Sequence, residues 1–120
     1  PLTSPVYLAA RARARTAARE DGIDAAFARH RLDALVAPTG GRAWVLDTDG
    51  GDTGSAFRAS PASITSVAGY PHVTVPMGSV AGLPVGLSFF GPAWSDGRLL
   101  GFAYAFEQAT HHRVTPTFQR

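Results

Sequence analysis

Two reactive residue types are missing from these 120 residues. There is no cysteine, which excludes disulfides, thiol nucleophiles and thiolate metal sites. There is no lysine either: all 11 basic residues are arginine. A lysine base or Schiff base therefore cannot come from this stretch of chain. No apolar run approaches the roughly 18 residues of a membrane span, so no membrane association is expected. The opening "PLTSPVYLAARARART" lacks the charged-then-apolar order of a secretory signal, which predicts a cytoplasmic protein. It starts with proline rather than methionine, which points to processing or truncation.

Charge is also modest, at a net +2. The pI near 9.7 reflects the lack of lysine and cysteine to titrate rather than a strong basic excess. Basic residues do gather in "RARARTAAR", at Arg11, Arg13, Arg15 and Arg19. A nucleic-acid patch is one reading. No aromatic side chains interleave with them to stack on bases, so a solvated helix face is favoured.

What is present reads as one α/β domain over 1–120. Alanine and arginine predict helix over 4–31, with Ile23, Ala26, Phe27 and His30 as an apolar stripe and Gly22 as a soft point. "LDALVAPTG" predicts a buried strand over 33–37 closed by Pro38. Residues 39–59, rich in glycine and aspartate, predict a long loop. Ser60, Pro61, Gly69 and Pro71 bracket a helix over 60–69. Strands are expected over 72–76 and 83–90, with "MGSVAG" as the connection. A final helix over 95–112 carries a stripe of Leu99, Phe102, Ala103 and Phe106, with Arg113 at the end where the helix dipole favours a cation.

Nucleophilic chemistry has few candidates. His30, His72, His111 and His112 could pair with Ser55, Ser63, Ser66 or Ser88, since a Ser-His-Asp site is defined by geometry rather than chain order. No G-x-S-x-G elbow is present, however. His72 lies in an apolar strand and reads as a satisfied core histidine. His111 and His112 are neighbours in sequence and share no helix face, which argues against a metal site. No catalytic residue, metal ligand or cofactor site is assigned.

Three segments together, "LDALVAPT", "SPASITSVAGYPHVTVPMG" and "GLPVGLSFFGPAWSDGRLLGFAYAFEQAT", resemble the C-terminal region of the amidase signature family, most closely its bacterial amidases. The resemblance spans about residues 5–118 and is weakest over 39–59. It implies a fragment of the amidase signature fold: a few strands of a mixed sheet covered by helices. It places Phe89, Phe90, Trp94, Phe102 and Phe106 in the core and gives Gly86 a close-packing role. It further implies hydrolysis of carboxylic amides by a Ser-Ser-Lys triad whose members all precede this segment. "GGDTGSA" (50–56) is too late in that order to be the nucleophile loop. The chain alone is therefore expected to be inactive; the alternative is a non-enzymatic remnant that folds alone and serves as an oligomerisation module. Pro38, Thr39 and Trp44, at and beyond the end of the first strand, are the weak candidates for a substrate-pocket wall. The expected partners are the N-terminal part of such an amidase, or a second copy joined through an open sheet edge or apolar face.

Overall fold

The computed structural model describes residues 1–44 and 60–116. The element order is α1 (Pro5–Ala18), a π-helical turn (Arg19–Asp24), α2 (Ala25–His30), β1 (Leu35–Pro38), α3 (Ala62–Ala68), β2 (His72–Val80), β3 (Leu83–Phe90) and α4 (Asp96–Thr110). The α/β class expected from the sequence is present, and the three strands pair antiparallel in the order β1-β3-β2.

The long N-terminal helix is interrupted where Gly22 weakens it. Ser4 opens α1 by accepting a hydrogen bond from the Tyr7 N–H at 3.2 Å. A wider π turn then carries Gly22 past the carbonyl of Ala17, five residues back. A Cβ on Gly22 would lie 2.7 Å from that oxygen, so only glycine fits. The predicted stripe is realised only in part. Ile23 is 1% exposed and Phe27 packs beside it, but His30 turns outward.

Strand β2 runs four residues further than the sequence suggests, because "MGSV" continues it to a two-residue turn. Ala81 and Gly82 both have positive φ (52° and 79°), the tight geometry that suits the twist of a hairpin. A bulge between Pro76 and Gly78 leaves Met77 without a partner on β3. On the far side of it, His72, Thr74 and Pro76 lie opposite Phe90, Ser88 and Gly86.

The sheet separates two apolar clusters. On one face Phe90, Leu35 and Ala37 pack with Ala18, Ile23, Phe27, Ala68 and Tyr70 from the N-terminal helices and α3. On the other, Val75 and Phe89 meet Leu99 and Ala103 of α4. Arg19 packs with the first assembly. Its Nε donates to the Ala68 carbonyl, which caps α3, and its guanidinium lies 5.2 Å from the Tyr70 ring centre.

Three expectations are corrected. Strand β1 is not a buried strand: it is an outer strand with Leu35 and Ala37 half-buried and Val36 and Pro38 exposed. Trp94 is 94% exposed, and Phe102 is also outside the core. Ser95 occupies the N-cap position of α4, where its carbonyl accepts from the Leu99 N–H while its hydroxyl donates to the Pro92 carbonyl. Helix α4 ends at Thr110, so Arg113 lies beyond its last turn.

Candidate functional site

Thr39, one of the three pocket candidates, is drawn into a polar cluster. Its N–H donates to the Gly86 carbonyl at 2.7 Å, which pins the turn after β1 against β3. Its Oγ1 lies 2.8 Å from Ser88 Oγ and 3.3 Å from Thr74 Oγ1. Pro38 is exposed at the end of β1 opposite Leu87, on the alternate face of the strand. Trp44, five residues past Thr39, is partly exposed. Ser55 and the rest of "GGDTGSA" fall outside the described residues.

Sequence reasoning missed the partners that Thr39 meets. His72 and Thr74 on β2 and Ser88 on β3 share its face of the sheet, beyond Phe90. Ser88 has no accessible surface, although its hydroxyl is polar. It is satisfied by three contacts: Thr39, the Nε2 of His72 at 2.6 Å, and Thr74 Oγ1 at 3.4 Å. Burial of this kind without partners would be costly. Gly86 forms the floor, because a Cβ there would come within 2.8 Å of Thr74 Cγ2 and 2.9 Å of Thr39 Oγ1.

Burial pushes the His72 imidazole below its ordinary pKa, which favours the neutral ring. It also packs edge-on against Phe90, with ring centres 6.3 Å apart. The expectation of a satisfied histidine holds through the bond to Ser88. The pair is not a hydrolytic dyad. Ser88 is sealed from solvent, so its oxygen cannot reach a substrate carbonyl, and no carboxylate orients the ring among the described residues. The arrangement can hold hydroxyl groups in fixed directions; it cannot activate a nucleophile.

Elsewhere, His111, His112 and Arg113 line a cleft of about 270 Å³ with Glu107, Gln108 and Pro76. Among the described residues no three His, Asp or Glu side chains converge on a common point. Nor is any helix long and apolar enough to cross a membrane.

Similar segments occur in other proteins. A family model described as Amidase matches residues 2–100. A "Putative amidase" of Arthroderma benhamiae is 37% identical over 110 residues, covering 78% of this chain and 15% of that protein. A glutamyl-tRNA(Gln) amidotransferase subunit from Desulforudis audaxviator is 39% identical over 108 residues, covering 85% and 21%. The X-ray structure of native peptide amidase from Stenotrophomonas maltophilia superposes with a TM-score of 0.85 at 50% identity, covering 99% of this chain and 23% of that one. The chain thus spans about a quarter or less of the length of the proteins it matches.

Proposed function

Because this chain belongs to the amidase family, we propose that it forms the C-terminal portion of an enzyme that hydrolyses peptide amides to the acid and ammonia. The observation that carries this reading is the 50% identity to peptide amidase, over 99% of the chain. The similarity to the amidotransferase is lower, at 39% over 108 residues. The fold agrees, with a sheet whose β1 end presents Thr39 to one face.

In this reading the segment supplies scaffold and pocket wall, and the triad lies in the preceding part of the enzyme. The family's serine nucleophile needs a base within hydrogen-bond reach and fixed donors for the oxyanion. The lysine base of the resemblance has no counterpart among these residues. The 120-residue chain is therefore inert by itself.

Ammonia release from an N-acetylated dipeptide amide tests both halves. The complete amidase polypeptide containing this segment is expected to release it, and the 120-residue chain is not. Turnover by the short chain would overturn the division of labour. A complete polypeptide that leaves peptide amides intact would overturn the substrate assignment.

A further inference from the structure

Strand β1 has the composition of one kind of strand and the position of another. Leu35 and Ala37 pack on the side of Phe90, and Ala34, just before the strand, packs with the cluster of Phe89 and α4. Val36 lies opposite Phe89 and is 57% exposed. Residues 34–37 are therefore apolar toward both faces of the sheet. That is the pattern of a strand with neighbours on both edges and covering layers on both faces. Yet β1 has a neighbour on one edge alone among the described residues.

The hydrogen-bond phase says what the open edge offers. Thr39, one position past Pro38, donates its N–H to the carbonyl of Gly86, the next residue in register on β3. Bonded and non-bonded pairs alternate along an antiparallel ladder. Ala37 and Leu35 therefore bond toward β3, and the N–H and C=O of Val36 point away from it. Pro38 holds the next outward position and has no N–H, so Val36 supplies the one outward donor within β1. The other end of the sheet is built differently. Strand β2 carries Pro76 and a bulge at Met77, both of them devices that end strand pairing. Strand β1 has no bulge and no charged residue.

We propose that β1 is an interior strand of the complete enzyme: the sheet continues across β1 into the preceding part of the amidase, through a strand hydrogen-bonded to Val36. The choice of occupant rests on the amidase reading above, in which this chain is the C-terminal portion and spans 23% of peptide amidase. The outward phase of Val36 rests on the geometry alone.

Hydrogen exchange resolved to individual amides tests the joint. It is measured on the complete polypeptide and on the 120-residue chain, the latter diluted until its mass is monomeric. The Val36 amide should exchange about a hundredfold more slowly in the complete polypeptide, while Leu35 and Ala37 are protected in both. Equal Val36 rates would overturn the proposal. Protection that grows with concentration in the 120-residue chain and is absent from the complete polypeptide would assign the edge to a second copy, and would overturn it too. Val36→Asp reads the same joint through stability. It should move the melting temperature of the 120-residue chain by no more than about 3 °C, as exposed substitutions do. In the complete polypeptide the carboxylate would be buried, so the loss should be larger or folding should fail. Equal shifts in the two proteins would count against the joint. Neither readout uses hydrolysis, so a complete polypeptide that releases no ammonia still reports on it.

Discussion

The Tyr70 hydroxyl donates a 2.8 Å hydrogen bond to Asp24 Oδ2, joining the residue just past α3 to the last residue of the π turn. Burial raises the Tyr70 pKa above its ordinary value of 10.0, and the hydrogen bond and charge of Asp24 add to the rise; Arg19 opposes it. A raised folded-state pKa means that the protonated tyrosine is the stabilising form. Its contribution is complete below pH 10 and disappears as pH rises through the folded-state value. Tyr70→Phe should cost about 1 kcal/mol at neutral pH. It should also flatten the alkaline fall in stability, as followed by urea denaturation between pH 8 and 11.

His72 titrates with the opposite consequence. Its folded-state pKa lies below 6.5, so the unfolded chain binds a proton first on acidification. The stability it allows is complete above pH 6.5 and falls as pH drops toward the folded-state pKa. Thermal unfolding of His72→Gln, compared with the parent from pH 7.5 to 5, should show a smaller acid loss in the variant. An identical pH dependence in the two proteins would contradict the neutral, partly buried imidazole.

Gly86→Ala is the sharpest probe of the cluster floor. The new methyl group would sit 2.8 Å from Thr74 Cγ2 and 2.9 Å from Thr39 Oγ1, so both side chains must move. Crowding of this kind costs about 1–3 kcal/mol. A variant with unchanged stability would show that the threonines have room to relax.

Both outer strands, β1 and β2, leave one side unpaired among the described residues, and Val36 is 57% exposed. Apolar grooves lie between α1 and α3, lined by Tyr7, Ala14 and Val67, and beside Ile23 and Ile64. Open edges invite strand pairing, and apolar surface invites burial. The isolated chain is therefore expected to self-associate. Sedimentation velocity across a hundredfold concentration range should show a rising weight-average mass. A constant monomer mass would count against self-association. Co-expression with the preceding part of the amidase should suppress it.

Much of the fold was legible in the sequence because its signals were local. Gly69 at the end of α3 (φ 68°), the apolar pattern of β3 and the weakness at Gly22 each report on their own neighbourhood. The polar cluster was not legible, and Met77 explains why. A hairpin counted back from the Ala81–Gly82 turn without a bulge places Val75, not Thr74, opposite Ser88. The single unpaired residue moves Thr74 and His72 onto the face of Ser88. Nothing in "TVPMGSV" announces that shift except Pro76 and Gly78, which weaken regular pairing. Trp94 was misplaced for a different reason. Its size suggested burial, but with φ 66° it projects away from the sheet that its neighbours Phe89 and Phe90 help to build.

The π turn also sets the rotational phase of the N-terminal segment. One residue added to an α-helix advances everything after it by about 100° around the axis and 1.5 Å along it. Ala18 precedes the turn and Phe27 follows it, yet both face the same cluster. Nine regular helical steps would put Phe27 on the opposite side from Ala18, but the wider π turn absorbs one residue's rotation and brings the two back to one face. Deleting one residue between Arg19 and Asp24 would restore a regular helix with Phe27 still facing Phe90, so the turn lets this segment carry an extra residue without changing the face it buries.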